Sequence, residues 1–190
     1  MSGNNREPLA ISSPKLGCRT PKFWCGGDII KPMDIQNREM HRVVSTCIIY
    51  KGGKYLITKR ALTKKAWPGK WTVPGGGLEI DDYANTPANK SGVWYFALEN
   101  SLRREVQEEV GLEVGKVSYL LDMTFIRPDN IPVVTLSFYA PWKSGEVKLE
   151  DNENIEYAWI SCGEAKNYDL IGGIREEIEM MEKILKGVGN

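Results

Sequence analysis

The sequence has few of the features that mark nucleic-acid-binding, membrane or secreted proteins. Lys and Arg together number 25 and Asp and Glu also number 25, so the formal net charge is zero and no basic nucleic-acid-binding surface is expected. No apolar run reaches the roughly 18 residues that a membrane-spanning helix needs. The N-terminus has no apolar signal-peptide core. We therefore expect a cytoplasmic protein with neither a nucleic-acid nor a membrane partner.

Cysteine and histidine are also scarce, which argues against a zinc site. The chain has four cysteines and one histidine, and His41 stands apart from all four cysteines. Cys18 and Cys25 are separated by six residues, a spacing that matches no common zinc motif. Cys47 lies in an apolar run and is expected to be a core residue. A disulfide is disfavoured by the expected compartment.

What the sequence does contain is typical of one globular domain with an extension. The 190 residues are 42% hydrophobic and 26% charged, enough to bury a sizeable core. Residues 1–36 contain Pro, Ser, Gly and Asn without hydrophobic periodicity, so we expect an N-terminal arm that is partly disordered. Residues 37–190 are expected to form the folded domain.

The expected domain alternates between strand-like and helix-like segments. Apolar and β-branched residues predict strands in RVVSTCIIY, KYLITKR, WTVPGGG and IEYAWI, and a hairpin in KVSYLLDMTFI-RPDN-IPVVTLSFYAPW. Apolar residues recur every four positions from Leu98 to Val110 and predict a helix that Gly111 ends. A second helix is expected over about 172–186. The pattern is that of an α+β fold with mixed strand directions.

Three glutamates crowd the end of the first predicted helix. At 100° per residue, Glu105, Glu108 and Glu109 project from one sector of about 100° and span about 6 Å along the axis. Such carboxylates repel each other and the helix C-terminus disfavours them, by about 0.3–1 kcal/mol for each effect on an exposed surface. A solvated charged face is one explanation. A site for divalent cations, which take oxygen ligands and often act on substrate phosphates, is the other.

The glycine-rich segment WTVPGGG, followed by a helix ending in REVQEEVGL, resembles the signature of the Nudix hydrolases. That signature is a glycine, five residues, Glu, seven residues, and then Arg-Glu-apolar-any-Glu-Glu-any-Gly-apolar. Residues 104–112 match its second half in full, and Gly76 matches its first glycine. The resemblance covers residues 42 to about 186. It implies the fold of that family, an α/β/α sandwich with a mixed central sheet.

The two halves of the signature are further apart here than in the family. The usual spacing places the first Glu at Phe96 when counted back from Arg104, and at Asp82 when counted forward from Gly76. An insertion of about 14 residues, at about 82–95, accounts for the difference. In the family this Glu chiefly pairs with the Arg, so either Asp82 replaces it or Arg104 has another partner. The insertion covers the substrate, packs against another subunit in a homodimer, or is a structural plug.

The resemblance implies hydrolysis of a diphosphate linkage in a nucleotide, with Mg²⁺, or alternatively Mn²⁺, as cofactor. By position in the signature, Glu105, Glu108 and Glu109 are the metal ligands and candidate catalytic residues. The carbonyl oxygen of Gly75 is a further candidate ligand. The first expectation for the substrate is a nucleoside triphosphate, cleaved to the monophosphate and pyrophosphate. ADP-ribose, a nucleotide sugar or a dinucleotide is the alternative, and a non-catalytic nucleotide sensor is the alternative of another class.

The remaining site residues are less closely defined. One of the signature glutamates, or a carboxylate of the loop LEDNENIEYAW, is expected to be the general base, and in that loop we favour Glu153 over Glu150 and Asp151. Arg104 and Gly111 are expected to be structural. Six residues are candidates for substrate binding, although core or surface positions explain each of them equally well: Arg60, Trp67, Trp71, Gly76, Phe125 and Arg127.

Overall fold

A computed structural model describes residues 40–150 and 152–187 of the chain. All of these residues belong to one structural unit, 39–190. The expected N-terminal arm, residues 1–36, lies outside the described residues, as do Cys18 and Cys25. Cys47 is buried, as expected, and is a free thiol. Among the described helices, none combines the length and the apolar character that crossing a membrane requires.

The described residues contain eight strands in one mixed sheet. Their bounds are β1 Arg42–Lys51, β2 Lys54–Arg60, β3 Trp71–Thr72, β4 Gly75–Gly77, β5 Glu113–Val114, β6 Ser118–Ile126, β7 Pro132–Ser144 and β8 Asn154–Ile160. The order β3-β2-β1-β7-β5 forms the main path, and β4, β6 and β8 pair with β1, β7 and β2. β1 runs antiparallel to β2 but parallel to β7. The mixed strand directions and the β6–β7 hairpin that the sequence predicts are confirmed.

The described residues contain three α-helices and a short 3-10 helix at Cys162–Asn167. α1 covers Asp81–Ala84, α2 covers Ala97–Val110 and α3 covers Ile174–Leu185. Gly111 has φ of 68° and ends α2 as predicted, with its N–H donating to the Gln107 carbonyl at 3.0 Å. α1 and the 3-10 helix have no counterpart among the sequence predictions.

Alternation along β1 sends its apolar side chains to two separate cores, one under each long helix. On one face Cys47 and Ile49 pack in the core that contains the α2 residues Leu102, Val106 and Val110. On the other face Ile48 lies in the core that contains the α3 residues Ile174, Ile178 and Met181. Full burial of each such aliphatic side chain contributes about 1.5–3 kcal/mol. The sheet is therefore covered by a helix on each side, and the expected α/β/α sandwich is confirmed.

The glycines of β4 bring this short strand close to both β1 and α2. β4 pairs with β1, placing Gly75 opposite Thr46 and Gly76 opposite Ser45. A Cβ at Gly75 would lie 2.2 Å from the Ser45 carbonyl oxygen, and φ there is +147°, a conformation that disfavours any other residue. The same strand then contacts the end of α2, where the glutamates lie.

Candidate active site

The backbone of β4 lies directly against two of the three glutamates. A Cβ at Gly76 would be 2.2 Å from the Glu105 Cδ, so a side chain at this position would displace the carboxylate. The Gly75 N–H donates to Glu109 Oε2 at 3.1 Å. The glycine-rich segment therefore fixes Glu109 by a backbone hydrogen bond and leaves room for Glu105.

Glu105 and Glu109 form part of an acidic cleft of about 590 Å³. Eight carboxylates line the cleft against one cation, Arg104, and the lining residues that carry charge are Glu79, Asp81, Asp82, Arg104, Glu105, Glu108, Glu109, Glu150 and Glu153. Glu108 is the most exposed of the signature glutamates, with 53% of its side chain accessible, and it pairs with Arg104 at 2.7 Å. These carboxylates repel one another unless cations are present.

The electrostatics of the two inner glutamates reflect this excess of negative charge. The pKa of Glu109 is raised to about 8, chiefly by burial and in part by the nearby Glu105 and Glu153 carboxylates, while the Gly75 N–H and Arg60 act in the opposite direction. Burial also raises the pKa of Glu105, in spite of the adjacent Arg104 guanidinium. Carboxylates that are short of positive charge suit a hard divalent cation.

The side chains as placed do not form a complete coordination shell. Within residues 40–150 and 152–187, no three Asp, Glu, His or Cys side chains are arranged to hold one metal ion. The fit of a divalent cation therefore depends on the ligand chemistry and charge of the cleft. Gly75 contributes its N–H to Glu109 in this arrangement, and the role of its carbonyl oxygen as a ligand stays a prediction.

The hydrogen bonds of Arg104 identify the residue that occupies the place of the first Glu of the signature. Its Nε donates to Asp82 Oδ1 at 2.5 Å and its Nη2 to Asp82 Oδ2 at 3.2 Å. Nη2 also donates to Glu105 Oε1 at 2.9 Å, and Nη1 donates to Glu108 Oε2 at 2.7 Å. Only 4% of the Asp82 side chain is exposed, and the Glu79 N–H donates to it at 2.8 Å. Although burial opposes it, these hydrogen bonds lower the pKa of Asp82 below its usual range. Asp82 is therefore the partner of Arg104, which is the first of the two alternatives that the sequence left open.

We expect Asp82→Asn to lower kcat about tenfold, because Arg104 would no longer be held where it orients Glu105 and Glu108. The free energy of unfolding should fall by about 1–2 kcal/mol, since a nearly buried ion pair loses one partner. Asp82→Glu, which restores the residue type of the family signature, should stay within about threefold of the original kcat. Steady-state kinetics and denaturant unfolding measure both effects. An Asp82→Asn protein with unchanged kinetics would show that this ion pair positions nothing.

The insertion folds back on itself beside the cleft. Trp94 Nε1 donates to the Thr86 carbonyl at 2.9 Å, and its ring lies 5.4 Å from that of Tyr83. Phe96 precedes α2 with φ of 62° and is 78% exposed. The position at which a glutamate would normally stand thus carries an outward-facing aromatic ring. Packing of these aromatic residues against a second subunit stays a prediction.

A second cavity, of about 340 Å³, shares Glu79, Glu105, Glu109 and Glu153 with the acidic cleft. Five of the six candidate substrate-binding residues line it: Arg60, Trp67, Gly76, Phe125 and Arg127. The rings of Trp67 and Phe125 lie 5.5 Å apart, edge to face. Trp71 is not brought to this cavity, because its ring packs against Tyr168 at 4.9 Å on the α3 side of the sheet.

The loop that precedes β8 reaches both cavities through Glu153. Its carboxylate is ion-paired with Lys64, and its carbonyl accepts the Ala61 N–H at 2.9 Å. Glu150 lines only the acidic cleft, and Asp151 lies outside the described residues. Of the carboxylates in this loop that are candidates for the general base, Glu153 is therefore the one that lies where the two cavities meet.

Sequence reasoning missed four charged residues of the second cavity: Arg42, Lys64, Glu79 and Glu177. Lys64 is in the loop after β2 and carries no distinguishing pattern. Glu177 had a signal, because it stands on the apolar face of α3 that Ile174 and Ile178 define. A carboxylate on such a face indicates either a buried partner or a role in a cavity.

Comparisons with known proteins agree with this geometry. A protein-family model described as the NUDIX domain matches residues 40–180. The nucleoside triphosphatase NudI of Klebsiella pneumoniae (strain 342) is 28% identical over 145 residues, covering 70% of this chain and 92% of that protein. NudI of Escherichia coli (strain K12) is 27% identical over 150 residues, covering 73% and 95%.

Solved structures show the same fold at lower identity. The MutT protein from Methanosarcina mazei Go1 superposes with a TM-score of 0.60 at 23% identity, covering 77% of this chain and 96% of that one. The NUDIX domain of Shewanella oneidensis NrtR, solved with ADP ribose, gives a TM-score of 0.61 at 15% identity, covering 81% and 94%. At these identities the likeness concerns the arrangement of strands and helices alone.

Proposed function

The chain belongs to the Nudix hydrolase family, and we propose that it cleaves a nucleoside triphosphate to the monophosphate and pyrophosphate in a reaction that needs Mg²⁺. The observation that carries the proposal is the shared position of Glu105, Glu109 and Glu153. All three line both the acidic cleft and the second cavity. A phosphate chain that extends from the second cavity toward the cleft would pass these carboxylates.

The glutamates of α2 are the proposed ligands of the divalent cation. Glu109 accepts the Gly75 N–H of β4, and Glu105 and Glu108 pair with Arg104. Mg²⁺ is the expected ion, with Mn²⁺ as the alternative, because both accept carboxylate oxygens. When bound, such an ion neutralises charge on phosphate oxygens and lowers the pKa of water.

The chain's own side chains supply the rest of the chemistry. Glu153 is the proposed general base that takes the proton of the attacking water. Lys64, its ion-pair partner, lines the same cavity and is placed to bind a phosphate oxygen. Arg60 donates its Nε to the Ala66 carbonyl at 3.0 Å, which orients the rest of its guanidinium along the cavity wall. Both cations offset charge that develops on the phosphates.

The second cavity is the proposed site of the nucleoside. Phe125, Trp67 and Arg127 combine aromatic surface with a guanidinium, a set that stacks on nucleobases. The NudI relatives are named nucleoside triphosphatases, which supports a triphosphate as the substrate. We also propose a cytoplasmic location and a small-molecule substrate rather than a nucleic acid.

A substrate panel tests the proposed reaction. The chain is incubated with Mg²⁺ and with each of the nucleoside triphosphates, ADP-ribose, a UDP-sugar and a dinucleoside tetraphosphate, and phosphate released after phosphatase coupling is measured. We expect turnover to be greatest with a nucleoside triphosphate. Faster turnover of ADP-ribose, a UDP-sugar or the dinucleotide would replace the triphosphate as the substrate. Binding of nucleotides without turnover of any would make the chain a sensor rather than an enzyme.

A further inference from the structure

Glu177 is a buried carboxylate that the proposed hydrolysis leaves without a role. The residue is only 4% exposed, yet it lines the 340 Å³ cavity, as do Met123 and Thr135. It lies in the first turns of α3, four residues after Gly173, whose carbonyl accepts the Glu177 N–H at 3.0 Å. Its carboxylate therefore faces the part of the cavity between α3 and the sheet.

The carboxylate is short of hydrogen-bond donors. Among the described residues, one donor reaches the Glu177 side chain: Ser137, on β7, donates its O–H to Oε2. In the part of the chain that the structure describes, no Lys or Arg nitrogen lies within ion-pair distance of it. An ionised carboxyl group has about four acceptor positions. A buried acceptor without donors is destabilising, because it gives up its hydrogen bonds to water and gains none in return.

A purely structural role explains only part of this arrangement. The Ser137 hydrogen bond links α3 to β7, and the N-terminal end of α3 favours a nearby negative charge. A Ser–Gln or Ser–Asn pair would make the same link without burying a charge. A Cβ at Gly173 would lie 3.9 Å from the second carboxylate oxygen, Oε1, and 3.9 Å from the end of the Met123 side chain, so Oε1 is directed toward this glycine. The geometry thus calls for a ligand that brings N–H donors.

We propose that Glu177 selects the nucleobase by accepting two N–H groups from one edge of it, as guanine presents. This proposal rests on the proposed function, because it takes the cavity to be the nucleoside site. Guanine offers adjacent N1–H and N2–H donors, which match the two oxygens of a carboxylate. Uracil and thymine flank their single N–H with carbonyl oxygens that repel a carboxylate, and adenine and cytosine place an acceptor beside their amino group.

Glu177→Gln separates base selection from structure, because it keeps the shape of the side chain and an oxygen for the Ser137 O–H. The amide offers one acceptor and one donor, which suits uracil better than guanine. We expect the ratio of GMP affinity to UMP affinity to fall by about 10- to 100-fold, the range of a bidentate contact to a base. The same shift should appear in kcat/KM for GTP relative to UTP.

Glu176→Gln is the matched control, because Glu176 is the adjacent residue on α3 but is exposed and lines neither cavity. Calorimetric titration with GMP and UMP measures the affinities of the unmodified chain and of both variants, and circular dichroism checks that each is folded. The Glu176 variant should keep the original ratio. A chain that binds GMP no more tightly than UMP, or a Glu177→Gln ratio that does not change, overturns the proposal. Monophosphate binding needs no turnover, so failure of base selection is distinguishable from failure of the hydrolysis.

Discussion

Glu108→Gln is expected to lower kcat for nucleoside triphosphate hydrolysis at least about 100-fold while leaving the chain folded. The substitution removes one negative charge from the acidic cleft and keeps the size of the side chain. Because 53% of the Glu108 side chain is exposed and its hydrogen-bond partner, Arg104, is itself 33% exposed, the core does not depend on Glu108. Steady-state kinetics with Mg²⁺, together with thermal unfolding, measure the two halves of this expectation.

The same helix supplies a matched control in Glu99→Gln. Glu99 also pairs with an arginine four residues later, Arg103, at 2.8 Å, and 39% of its side chain is exposed. It lines neither the acidic cleft nor the second cavity. Surface pairs of this kind stabilise the fold by only about 0.3–0.5 kcal/mol. Since this pair lies outside both cavities, we expect kcat to change less than about twofold. Equal losses in the two variants would mean that Glu108 acts through the helix rather than through the cleft.

Glu109→Gln is expected to lower kcat by at least about 100-fold and, unlike most substitutions in a core, to stabilise the metal-free chain. Glu109 is only 6% exposed, and burial raises its pKa to about 8. Keeping a carboxyl group in this position therefore costs free energy that an amide does not. We expect the free energy of unfolding, measured in a chelator at pH 8, to rise by about 1–3 kcal/mol.

The stabilisation expected for Glu109→Gln depends on pH. With a pKa raised from 4.5 to about 8, Glu109 costs nothing below pH 4.5, where it is protonated in both states. The cost grows as the pH rises from 4.5 to about 8 and is constant above that. The Gln variant should accordingly gain nothing at pH 4 and most at pH 8. Denaturant unfolding across this range is the measurement, and a variant less stable than the original chain at pH 8 would contradict the burial account.

The sequence predicts those parts of the fold whose pattern is local. The apolar and β-branched residues of RVVSTCIIY identify β1, and the four-residue period before Gly111 identifies α2, because burial dictates each pattern over a short stretch of sequence. The path of the insertion is not local, so the sequence left open whether Asp82 or another residue pairs with Arg104. That pairing depends on how α1 folds back onto α2, which the tertiary contacts decide.

The candidate site divides in the same way. Gly76, Glu105 and Glu109 follow from the signature, whose spacing encodes the approach of β4 to α2. Trp71 and Glu177 do not, because their surroundings depend on how the chain near α3 packs against the sheet. Trp71, a candidate for substrate binding or for a core position, packs against Tyr168 and does not line the cavity that the other five candidates line. Glu177 was overlooked, although a carboxylate on an apolar helix face is itself a departure from the pattern.

The central claim is that the cleft and the adjoining cavity hydrolyse a nucleoside triphosphate with the help of a divalent cation. Following one reaction by ³¹P NMR tests it most directly, with GTP and Mg²⁺ and with a chelator added in a parallel sample. The account predicts equal amounts of nucleoside monophosphate and pyrophosphate, and no products in the chelated sample. Release of nucleoside diphosphate and orthophosphate, or the same rate without Mg²⁺, would contradict it.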